Sequence, residues 1–174
     1  MLKVLGLSGK KWESVTTGFI APPFLDLAWI KGKDVFQGTS LLTLDQKGRL
    51  LMPSRYKDVL VESCAGELTL TRHPDGCLVL YPRPCWESKR AQIVALPNSA
   101  RGLVRLILGS AVDVVCDKVG RVLIPQELRT MAGLDREVAM VGMGERFEIW
   151  DRSTWLALCQ DVSRVDLESI DFTF

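Results

Sequence analysis

The stretch LLTLDQKGRLLMPSRYKDVL, from Leu41 to Leu60, returns 72 residues later as VVCDKVGRVLIPQELRTMAGL. Aligning Asp45 with Asp117 also aligns Gly48 with Gly120, Arg49 with Arg121, Leu51 with Leu123 and Pro53 with Pro125. In each copy an apolar, β-favouring run meets Asp-x-x-Gly-Arg, a second apolar run follows, and proline opens a helix-forming segment. The duplication therefore asks for two like units of strand, turn, strand and short helix. Gly48 and Gly120 supply the positive φ of a tight hairpin turn, and Asp45 and Asp117 can accept backbone N–H groups across it. Arg49 and Arg121 then project from a stiff element. Pro53 and Pro125 end the strand at a place where a missing donor does no harm.

The rest of the chain extends the pattern. Strands are expected over 40–45 and 49–52, a helix over 54–62, and a hairpin where Leu68, Leu70 and Leu78, Leu80 flank His73-Pro74-Asp75-Gly76. A one-faced helix over 84–96 carries Trp86, Ile93, Val94 and Leu96, and a helix over 99–109 with Arg101 and Arg105 on one face joins the halves. The second unit repeats the first: strands 111–116 and 121–124, helix 126–132 closed by Gly133, strands 137–142 and 146–150, and helix 152–160. Trp155 answers Trp86, three residues nearer its proline. The fold class expected is α+β with strands of the two halves interleaved, and Leu44, Leu50, Leu51, Val122 and Leu123 are expected in the shared core.

Composition narrows the function classes. An apolar content of 47% and a charged content of 25% are ordinary for a globular chain of 174 residues. No stretch is long and apolar enough to cross a bilayer, which points to a cytoplasmic protein with no membrane role. The formal charge of +1 averages a net +3 over residues 1–33 and a net −2 over residues 34–174, so any polyanion must be held by a local patch. Cys64, Cys77, Cys85, Cys116 and Cys159 are an odd set without a Cys-x-x-Cys pair, and are taken as buried thiols. The grouping Cys64, His73, Cys77 and Cys85 matches no common zinc spacing. His73, the lone histidine, has no nucleophile to serve. No phosphate loop, acid and base pair or Ser-His-Asp order is visible, so neither an enzyme nor a cofactor is expected.

The string from Val35-Phe36-Gln37-Gly38 through LTLDQKGRLLMPSRYKDVL, GCLVLYP with Trp86, DKVGRVLIPQELR, AGL and FEIWD resembles the MraZ family of bacterial transcriptional regulators over about residues 35–160. The resemblance implies two AbrB-like half-units interleaved into a double-split β-barrel with flanking helices. It also implies ring-shaped homo-oligomers, associated with the nucleoid, that bind direct repeats in double-stranded promoter DNA upstream of a division and cell-wall gene cluster. On this reading residues 35–98 form the first half-unit, residues 99–160 the linking helix and second half-unit, and residues 161–174 an acidic tail. Family members begin as Met-Phe-x-Gly at the residue matching Val35. Residues 1–34 are therefore expected to be an extension, a mis-assigned start if Val35 is encoded by GTG; a short apolar clip through Phe24, Leu25, Leu27, Trp29 and Ile30 is the alternative. The intact mass of protein made from the native locus tests the mis-assigned start, which a mass including Met1 to Asp34 would refute.

For DNA contact the candidates are Lys47 and Arg49 in the first turn, Arg55 and Lys57 just past Pro53, and Lys118 and Arg121 in the second turn. Arginine can bridge a guanine edge or hold a phosphate, and lysine adds a phosphate charge. The competing role is local: Asp45 with Arg49, and Asp117 with Arg121, could be ion pairs that brace their turns. Correspondingly, a structural scaffold that binds no DNA stands as the alternative to a regulator. Trp86, Trp150 and Trp155 are expected in the core or at subunit contacts.

Overall fold

The computed structural model describes residues 36–162. In chain order the elements are β1 (Phe36–Thr43), β2 (Arg49–Leu51), α1 (Ser54–Cys64), β3 (Glu67–Arg72), β4 (Leu78–Pro82), α2 (Arg83–Val94), a 3-10 turn (Asn98–Ala100), α3 (Arg101–Gly109), β5 (Val112–Val115), β6 (Arg121–Leu123), α4 (Gln126–Met131), β7 (Glu137–Gly144), β8 (Phe147–Asp151) and α5 (Arg152–Val162). The fold is α+β. The extension, its apolar clip and residues 163–174 of the acidic tail lie outside the described residues.

Six strands form an antiparallel sheet in the order β1-β7-β8-β4-β3-β5, and β2 and β6 form a separate two-stranded ribbon. Exchanging each strand for its counterpart in the other half (β1 for β5, β3 for β7, β4 for β8) leaves that order unchanged. A pseudo-two-fold axis therefore runs between β4 and β8 and through the ribbon. The pairing departs from the hairpin expected around each Asp-x-x-Gly-Arg turn. β1 does not continue along β2; it pairs with β7 from Phe36↔Gly144 to Thr43↔Glu137, while β2 pairs with β6. The turn is closed only at its neck, where Asp45 N donates to Arg49 O at 3.0 Å and Gly48 N to Asp45 O at 2.9 Å. Beyond it each strand leaves for the other half: Met52 N donates to Gly120 O and Ile124 N to Gly48 O.

Period-two alternation explains how the sheet is buried on both faces. Leu78, Leu80, Val138, Met140, Phe147 and Ile149 enter one core with Leu44, Leu60 of α1, Leu128 of α4, and Leu50 and Val122 of the ribbon. Val79, Tyr81, Ala139, Val141 and Trp150 face the other way, against Trp86 and Ile93 of α2, with Ile107 and Leu108 of α3 and Trp155 alongside. The same alternation corrects two core assignments. Leu51 and Leu123 are 54% and 50% exposed, because burying Leu50 and Val122 turns their neighbours outward. Val94 and Leu96, at the end of α2 and just past it, are exposed too. Four cysteines are buried, but Cys159 on α5 is exposed, contrary to expectation. Among the described residues no helix is long and apolar enough to cross a membrane, and no group of three or more His, Cys, Asp or Glu side chains is placed to hold a metal ion.

Candidate nucleic-acid interface

The two turns have nearly the same internal geometry. Asp45 Oδ1 accepts from Lys47 N and Arg49 N, both at 2.9 Å, and Oδ2 accepts from Arg49 Nε at 2.7 Å and Nη2 at 2.6 Å. In the second turn Asp117 Oδ1 accepts from Val119 N and Arg121 N, both at 2.9 Å, and Oδ2 from Arg121 Nε at 2.8 Å. The side-chain hydrogen bond from Arg49 leads the contacts that hold the Asp45 carboxyl down to about 2. Asp117 is also lowered, first by the backbone N–H of Arg121. Gly48 and Gly120 adopt φ of 76° and 93°, which a side chain would strain.

Each arginine thus has one edge of its fork against an aspartate, and neither side chain is buried. Their side chains are 29% and 34% exposed. In the ribbon Arg49 faces Leu123 and Leu51 faces Arg121. Leu50 and Val122 point into the core, so all four flanking residues share the outward face: two arginines on one diagonal and two leucines on the other. A diagonal of this kind separates Cα atoms by about 7–8 Å. The backbone pairing across the pseudo-axis fixes one cation relative to the other.

The remaining candidates are distributed less symmetrically. Lys47 and Lys118 are exposed on their turns, although the 72-residue offset aligns neither with the other. Arg55 donates from Nη2 to Ser40 Oγ at 2.8 Å and lies 4.7 Å over the Tyr56 ring, which ties it to β1; its counterpart is Glu127. Lys57 crosses the pseudo-axis. Its Cδ passes 3.2 Å from where a Cβ on Gly120 would stand. The counterpart of Lys57 is Arg129, which lies over Gly48 in the same way, with guanidinium atoms 2.6–2.8 Å from an ideal Cβ there. Sequence reasoning missed Arg129, although the offset that links the two motifs also links it to Lys57.

Both halves match the family described as "MraZ protein, putative antitoxin-like", over residues 35–102 and 107–173. A protein of Bordetella pertussis named Transcriptional regulator MraZ is 58% identical over 120 residues, covering 69% of this chain and 84% of that one. Proteins with the same name are similar in Herminiimonas arsenicoxydans, at 49% over 142 residues (80% of this chain, 100% of the relative), and in Burkholderia ambifaria, at 53% over 123 residues (71% and 87%). The twice-matched family pattern, carried by the same two turns that the fold sets about its pseudo-axis, shows that this chain belongs to the MraZ family.

Proposed function

We propose that this chain is a sequence-specific, double-stranded DNA-binding transcriptional regulator and not an enzyme. It acts in the cytoplasm, at the nucleoid, as a ring-shaped homo-oligomer on direct repeats upstream of a division and cell-wall gene cluster. The observation that carries this reading is the pair of braced turns, which place Arg49 and Arg121 on one outward ribbon face beside Lys47 and Lys118. A two-stranded ribbon is narrow enough for a major groove, where a guanidinium can bridge a guanine edge and an apolar side chain can meet a thymine methyl. Bracing and binding need not compete, since an aspartate that holds one edge of the fork pre-orients the rest. The relatives' name, transcriptional regulator, supports the same reading.

One protomer offers only a few phosphate contacts, each weakened by salt, so alone it grips poorly. Identical subunits in a ring make each further contact intramolecular, and avidity rises on the order of a hundredfold or more where repeat and subunit spacing agree. Electrophoretic mobility on the chain's own upstream DNA tests the proposal. We expect a salt-sensitive shift, stronger for the intact array than for one repeat, and weakened by Arg49→Ala in a variant that keeps its oligomer. Absence of any shift at low salt, or equal affinity for one repeat and the array, would count against it. The scaffold reading is favoured by one observation, that both motif arginines already hold an aspartate. Under it, Arg49→Ala loosens the fold or the assembly and there is no DNA affinity to change.

A further inference from the structure

We infer that Arg129 is a DNA-contacting residue of the first turn, a phosphate-holding cation that the second half lends to the first. The inference rests on the regulator reading and adds to it the composition of the grip. Arg129 leaves α4, donates from Nε to Ile124 O at 3.2 Å, and lays its guanidinium on the Gly48 backbone where any side chain would collide with it. Ile124 N in turn donates to Gly48 O at 3.0 Å, so the segment that anchors Arg129 is itself bonded to the turn it covers.

Charge distinguishes Arg129 from the motif arginines. Arg49 is neutralised by Asp45 at 2.6 Å. Arg129 has no carboxylate oxygen within 4.0 Å among the described residues. It opens on a small pocket of about 230 Å³ between the halves, whose walls include Asp45, Gln46, Asp135 and Arg136. With Lys47 and Arg49 offset by Asp45, Arg129 brings the first turn to a net of two positive charges, and Asp135 and Arg136 in the pocket wall offset one another. That is the arrangement a phosphodiester needs: a flat donor fork fixed at its Nε end, with its terminal amino groups free of an anion. Lys57 covers Gly120 in the second turn with its methylene stem, Cδ, Cε and Cγ, so only the first turn has a charged group laid over its glycine.

Fluorescence anisotropy of the full-length protein on a DNA duplex carrying its upstream repeats, over a salt series, tests this with wild type, Arg129→Gln and Arg129→Lys. We expect Arg129→Gln to bind on the order of tenfold more weakly and to lower the slope of log K against log salt by about 0.9 for each phosphate it no longer holds, at an unchanged melting temperature. Arg129→Lys should restore the slope while recovering only part of the affinity. If Arg129 only braces the turn, Arg129→Gln will melt earlier with an unchanged salt slope, and lysine will not rescue it; that result overturns the inference. Wild-type binding with Arg129→Gln indistinguishable from it also overturns the inference alone, whereas a wild type that binds no DNA removes the regulator reading as well.

Discussion

The carboxylate of Asp45 ties its turn to pH. Its pKa is held at about 2 against an ordinary 3.8, chiefly by the Arg49 side chain. A carboxyl depressed in the folded state adds stability that is present above the unfolded value and lost as pH falls through the folded one. The Asp45 turn should therefore weaken between about pH 4 and pH 2, and Asp117, lowered chiefly by the backbone N–H of Arg121, makes the second turn weaken in the same sense as pH falls. Asp45→Asn should lower the melting temperature at neutral pH, and its deficit relative to wild type should shrink as pH is taken down through that window; a deficit constant across it would show that the charge of Asp45 does not matter. Gly142 makes a separate residue-scale demand. It faces Gly38 across the β1–β7 pair, and an ideal Cβ on it would stand 2.5 Å from Gln37 N and 2.6 Å from Phe36 C. Both obstacles are backbone, so neither can swing aside. Gly142→Ala should cost about 1–3 kcal/mol in urea unfolding, the range for overpacking. An unchanged midpoint would mean that β1 can shift along β7.

The β2–β6 ribbon is the element on which the two halves depend equally, since its centre is the pair Leu50↔Val122, both fully buried. Leu50→Ala should destabilise the whole described domain by about 3 kcal/mol, the lower part of the range for leucine truncation in a core. The loss should appear as a single unfolding transition, because the ribbon takes one strand from each half; two separated transitions would show halves that fold independently. The elements themselves were largely legible in the sequence. The strand and helix positions follow from alternation, from Pro53 and Pro125, and from Gly48 and Gly120, all local signals. Pairing was not legible to the same degree, because a turn that closes with Asp45 N on Arg49 O looks from sequence like an ordinary hairpin. Nothing local states that the next donor, Met52 N, will go to Gly120 O in the other half. The errors at Leu51 and Leu123 have that origin: three apolar residues in a row fit a strand buried on both faces, and only the ribbon pairing decides which of them turn outward. Arg129 was legible only through the repeat, by carrying Lys57 forward 72 residues, and its seat on Gly48 depends on the swap.

At the scale of the molecule the pseudo-axis makes one chain behave like a dimer, with two sheet edges as its ends. Among the described residues β1 is paired only to β7 and β5 only to β3, so within them each leaves a row of backbone donors and acceptors without a neighbouring strand. Open edges of this kind invite another chain unless they are protected. Along β1 the invitation has an apolar side: Leu41 is 51% exposed and borders a groove of about 620 Å³ with Leu42, Leu51, Pro53, Lys57 and Val119 among its walls. Val112 and Val115 stand exposed on the opposite edge. A protomer whose two ends differ yet both expose apolar surface is suited to head-to-tail contact, which propagates until rotation closes a ring. The ring proposed above can therefore be tested apart from the DNA contacts. Leu41→Glu places a charge on the edge while leaving the residues of both turns unchanged, although Val119 of the second turn shares the groove with it. It should reduce the assembly to smaller species by size-exclusion chromatography with light scattering, and it should lower the preference for an array over a single repeat from about a hundredfold toward parity. Affinity for the single repeat should stay as it was. If Leu41→Glu keeps the wild-type mass, the ring is not built on this edge; if it dissociates while the array preference survives, the preference does not come from linked subunits and must arise within one protomer, from its own two turns.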